Sequence, residues 1–126
     1  MRNDRERLLD IIEAIERIER HVRGGRVAFA GQELVQVWVI HNLEIVGEAA
    51  RGVSEDLRRR RPDVRWREVV ALRNVLAHGY FGIDVERVWA TVEKDLPKLK
   101  EQIRSIVAEI PAEVDESGGG NRRSSR

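Results

Sequence analysis

The chain has 126 residues and a formal net charge of +1, with 41% hydrophobic, 36% charged and 5% aromatic side chains and no cysteine. That length supports one hydrophobic core, and the mixture of charged and aliphatic residues favours amphipathic helices over a β-sandwich. The missing cysteines exclude disulfide frameworks, thiolate nucleophiles, zinc ribbons and iron–sulfur clusters, and the near-neutral charge leaves nucleic-acid or lipid binding to a local patch.

The first residues, Met1 to Arg7, lead into a charged amphipathic pattern instead of an apolar signal core. Leu8, Ile11, Ile12, Ile15, Ile18 and Val22 then recur at steps of three and four, which predicts a helix with one apolar stripe. Asn3 or Asp4 is its expected N-cap, Glu13–Arg17 and Glu16–Arg20 are acid-before-base pairs, and Gly24-Gly25 ends it. The following segment to Gly31 reads as a loop. From Gln32 to about Arg51 the chain is apolar almost all round, through Leu34, Val35, Trp38, Val39, Leu43, Ile45, Val46, Ala49 and Ala50. This reads as a central, mostly buried helix, and such girth in a small protein suggests a second subunit. His41 lies on it, with Glu44 and Glu48 one and two turns on. The longest uncharged run, Leu34 to Leu43, has about ten residues, well short of the roughly 20 that cross a bilayer, so no membrane span is expected and the expected compartment is the cytoplasm.

Ser54 opens a short helix closed by Pro62. Trp66 to Ala77 forms a third main helix with Gly79 as its stop, and Asp84 caps a long last helix that Pro97 must kink or restart. Residues 1–110 thus form one helical domain, and the Gly-, Ser- and Arg-rich tail of residues 111–126 reads as disordered.

Polar groups gather at the end of the third main helix: Arg73, Asn74, His78 and Tyr80. If Gly79 turns the chain there, His78 swings back over the last turn beside Arg73. An imidazole that titrates near neutrality and a permanent guanidinium suit phosphodiester transfer on RNA without a metal or other cofactor. The His moves a proton, and the Arg stabilises charge growing on the phosphoryl oxygens. One such His per chain supplies one acid or base, so two chains across a two-fold axis would supply the pair. The same residues also suit a structural role, in which Arg73 and His78 complement a helix C-terminus and Tyr80 packs on Phe81 or Trp89. His21, His41 and His78 fall in three segments without paired metal-ligand spacing. The one basic patch is Arg58, Arg59, Arg60 and Arg61, extended by Arg65 and Arg67. It reads either as a contact for RNA phosphates or as a solvated face balanced by Glu55, Asp56, Asp63 and Glu68.

The string Arg73-x4-His78-Gly79-Tyr80 resembles the Arg-x4-His-x-Tyr motif of the HEPN superfamily, specifically the HepT type of toxin. The likeness extends through Arg5 to Ile11, Ala14 to Ile18, Asn42 to Ala50, Trp66-Arg67, His78 to Asp84 and Val88-Trp89 to Pro97. It implies an all-α, antiparallel bundle of four to five helices that dimerises and forms a metal-independent endoribonuclease site at the subunit interface. In that implied site Arg73 and His78 are catalytic and Asn74 supports them. The resemblance also implies a nucleotidyltransferase-type antitoxin that transfers AMP to Tyr80 and silences the toxin, with larger complexes open to the pair. One departure is His41, where the resemblance predicts Arg before Asn42-Leu43-Glu44. It touches interface and RNA contacts and leaves the catalytic motif intact. The alternative is a catalytically silent helical module whose Arg–His–Tyr end only docks the nucleotidyltransferase.

Overall fold

The computed structural model describes residues 3–74 and 84–111. Helix α1 (Asp4–His21) starts on a reciprocal cap, in which Asn3 Oδ1 accepts from Glu6 N at 2.8 Å and Glu6 Oε1 accepts from Asn3 N at 3.0 Å. Its stripe Leu8, Ile11, Ile15 and Ile18 is fully buried. The segment expected to be a loop contains a short helix, α2 (Gly25–Ala30), entered through Gly25 at φ +88°. Periodicity could not show it, because one large side chain, Phe29, anchors it against Trp89 while Val27 stays in solvent. Gln36 also caps its end from the next helix, donating to Phe29 O at 2.9 Å and Ala30 O at 3.1 Å.

Helix α3 (Glu33–Arg51) is followed by α4 (Glu55–Arg60), whose N-cap Ser54 accepts from Leu57 N at 3.2 Å. Ser54 also donates to Asp4, through its hydroxyl at 2.7 Å and its amide at 2.8 Å, so the start of α1 meets the end of α3. Trp66 opens α5 (Trp66–Ala71) and donates its indole N–H to Arg61 O at 2.9 Å. The expected run to Ala77 tightens at Leu72–Asn74 into a 3-10 turn, and residues 75–77 lie outside the described part. Asp84 caps α6 (Val85–Ala90) as expected, accepting from Arg87 N at 3.1 Å. A π segment, Thr91–Asp95, then leads into α7 (Leu96–Glu109). Pro97 falls in the first turn of α7, where its missing N–H is tolerated, and the wider π turn absorbs the interrupted ladder.

Long-range polar contacts fix the helix directions. Arg5, near the start of α1, donates to Ile110 O at 3.1 Å past the end of α7, while Lys100 reaches Glu19 at 2.8 Å near the end of α1. Glu16 also turns to α7, accepting from Arg104 at 3.2 Å, instead of serving Arg20 one turn on. The helices α1 and α7 are therefore antiparallel, and the Asp4–Ser54 and Arg17–Asn42 contacts make α1 and α3 antiparallel too. With α5 also packed against α3, the described chain is an all-α antiparallel bundle around Leu8, Ile15, Leu43, Val46 and Ile103, and it contains no strand among the described residues. No described helix is long and apolar enough to cross a membrane.

Candidate functional site

Mid-helix glycine costs about 1 kcal/mol relative to alanine, so Gly47 in α3 needs a packing reason. It has one: a Cβ there would lie 2.4 Å from Arg73 N and 2.8 Å from Val70 O. The backbone of α3 thus touches the backbone of the 3-10 turn, and Arg73 is held directly beside the next residue of α3. Glu48 Oε1 accepts from Arg73 Nη1 at 3.0 Å, and Glu48 Oε2 lies 3.4 Å from Arg51 Nη1.

Around this pair opens a cleft of about 410 Å³ lined by His41, Glu44, Ile45, Glu48, Arg73 and Asn74. One arginine there faces two carboxylates. His41 stacks on Trp38 with ring centroids 5.7 Å apart, and His21 meets the same indole edge-on at 5.7 Å. His21 itself is oriented by donating from Nδ1 to Arg17 O at 2.8 Å. Through His41 the cleft borders the outer face of α3, where Leu34 is 85% exposed, Val37 49% and Trp38 38%. Among the described residues the central helix is thus buried along one side and exposed along the other.

The structure brings Arg73 and Asn74 to one wall of this cleft. His78 and Tyr80 lie outside the described residues, as does the tail from residue 112 onward. The basic patch is largely neutralised within itself. Arg59 pairs with Glu55 and Asp56, Arg60 with Asp56, Arg61 with Asp63 and Glu109, and Arg65 with Glu68. The Arg61 guanidinium bonded to Asp63 holds that carboxyl below its ordinary value, and the same bond raises Arg61. Arg58 and Arg67 form no ion pair among the described residues.

Residues 11–106 match the family described as Ribonuclease HepT-like. The chain belongs to the HepT-like family. The matched span runs from α1 into α7 and includes every cleft residue together with Arg73, His78 and Tyr80. Among its relatives is a Thermococcus cleftensis protein named "Probable ribonuclease HepT", 39% identical over 83% of this chain and 96% of its own length. A Methanocaldococcus jannaschii protein provisionally named as an RNase is 42% identical over 62% of this chain and 72% of its own. A second one from that organism, also provisionally named as an RNase, is 28% identical over 87% of this chain and 92% of its own. No solved structure matches with significance.

Sequence reasoning about this HepT-like chain places His41, Glu44 and Glu48 on one helix face but does not connect them to Arg73. The available signal was Gly47, whose position inside a strongly helical run marks a close backbone approach.

Proposed function

We propose that the chain is the toxin of a toxin–antitoxin pair and acts as a metal-independent endoribonuclease. The observation that carries the reading is Arg73 standing in an open cleft, in a chain whose relatives bear ribonuclease names. Arg73 binds the scissile phosphate and stabilises charge on its oxygens, His78 takes the proton from the attacking 2′-hydroxyl or gives one to the leaving oxygen, and Asn74 supports them by hydrogen bonding. Two copies associate through the outer face of α3, whose apolar residues Leu34, Val37 and Trp38 are exposed, and this association completes the site. In the basic run, Arg58 and Arg67 keep charge free for RNA phosphates, and the paired Arg59, Arg60, Arg61 and Arg65 contribute less. The protein works in the cytoplasm.

Control falls on Tyr80, the acceptor of AMP from a nucleotidyltransferase-type antitoxin. The added phosphodiester puts bulk and negative charge in the motif that holds Arg73 and His78, in competition with RNA.

Purified protein assayed on total RNA and tRNA in EDTA tests the reading. Cleavage should persist in EDTA, and Arg73→Ala or His78→Ala should lower it by on the order of 10² to 10⁴ with the fold kept. Loss of activity in EDTA, or normal cutting by His78→Ala, would contradict the mechanism. Absence of cleavage by the wild type would leave the silent docking module. For control, mass spectrometry after incubation with the cognate transferase and ATP should find AMP on Tyr80 and none on Tyr80→Phe.

A further inference from the structure

Glu48 is the described side chain most intimately tied to Arg73, and its two oxygens do different things. Oε1 accepts from Arg73 Nη1 at 3.0 Å, while Oε2 faces Arg51 Nη1 at 3.4 Å, one turn on in the same helix. The carboxylate is thus braced from behind and bonded in front. The front bond takes one terminal nitrogen of the guanidinium. Arg73 remains 37% exposed on the cleft, and the rest of its donor fork has no hydrogen-bond partner among the described residues, which leaves it to meet a phosphodiester. The backbone contact at Gly47 sets the distance that lets this bond form, so the arrangement is built into the packing of α3 on the 3-10 turn.

A long arginine side chain has many rotamers, and a group that fixes it before substrate arrives removes that ordering from the reaction step. The same carboxylate carries negative charge into a cleft meant for phosphate, which opposes substrate binding. Glu48 therefore has two separable properties, reach and charge, with opposite consequences.

We propose that Glu48 is a positioning residue for Arg73, orienting its guanidinium for the transition state at some expense in RNA affinity. The proposal rests on the endoribonuclease reading above. Because Glu48 is 55% exposed, its substitution should leave the bundle folded.

Three variants separate reach from charge in steady-state cleavage of a defined RNA. Glu48→Asp keeps the charge and is one methylene short, so kcat should fall roughly 10- to 100-fold with KM within about twofold. Glu48→Gln keeps the acceptor at full reach, so kcat should stay within about threefold while KM falls. Glu48→Ala should combine the low kcat of the first with the lowered KM of the second. Wild-type kinetics in Glu48→Asp, or a rise of kcat in all three, would overturn positioning. A rise would instead make Glu48 a latch that restrains Arg73. Losses that simply follow the folded fraction, measured by circular dichroism, would overturn it as well.

A second readout does not depend on turnover. The Arg73 side-chain signal in a ¹⁵N spectrum, assigned by its disappearance in Arg73→Lys, should shift in Glu48→Asp and stay near its wild-type position in Glu48→Gln. If the wild type cuts no RNA, the ribonuclease reading has failed. The spectrum then still decides whether Glu48 orients Arg73, and an unchanged signal in Glu48→Asp would overturn that too.

Discussion

Along α3, the face turned to α1 and α5 carries Val39, Leu43, Val46 and Ala50, all fully buried, and Gly47 in backbone contact with the 3-10 turn. The opposite face carries Leu34, Val37, Trp38, His41 and Glu48, all exposed. Both faces are rich in apolar side chains over their first half, yet among the described residues only the inner one is buried. The difference separates two duties of one helix: the inner face holds the bundle together and sets where Arg73 stands, and the outer face carries the cleft and the surface proposed to join two copies.

Substitutions on the two faces should therefore fail in different ways. Leu43→Ala removes a fully buried side chain and is expected to lower unfolding free energy by about 2 to 5 kcal/mol in urea denaturation. Gly47→Ala drives a Cβ to 2.4 Å from Arg73 N, where backbone must give way, at a cost of about 1 to 3 kcal/mol. Unlike Leu43→Ala, it should also lose RNA cleavage out of proportion to its stability, because the displaced group is Arg73 itself.

Away from α3, the depressed Asp63 carboxyl gives a smaller, pH-dependent effect. Its folded value lies below the unfolded one, so its bond to Arg61 stabilises the fold above the ordinary carboxylate range and is lost as pH falls through the folded value. Asp63 is half exposed, which limits the gain to at most about 1 kcal/mol. Asp63→Asn should flatten the acid limb of the stability profile by that amount. Smallest of all, Leu34→Glu on the outer face should change the unfolding free energy of the isolated chain by less than about 0.5 kcal/mol.

Much of this architecture was legible in the residue pattern. The stripe of α1, the Ser54 and Asp84 caps and the placement of Pro97 all express local chemistry that spacing reveals. The helix α2 was not legible, because a single buried Phe29 and a cap supplied by Gln36 leave no period to read. The third main helix reads as unbroken to Ala77, yet it tightens over Leu72–Asn74, where Arg73 meets Gly47. The candidate site was half visible. Arg73 and Asn74 stand out by chemistry, but the cleft they share with His41, Glu44 and Glu48 depends on a contact between helices that no local spacing encodes. The outer face of α3 reads as core for the same reason: composition records apolar girth and not what covers it.

The most direct test joins the outer face to the chemistry. Trp38→Glu should yield a folded monomer by light scattering that cleaves RNA at a small fraction of the wild-type rate, while wild-type activity per chain should fall on dilution through its association range. A Trp38→Glu monomer that cuts RNA as fast as the wild type would contradict the account, because the cleft beside Arg73 would then be complete in a single chain.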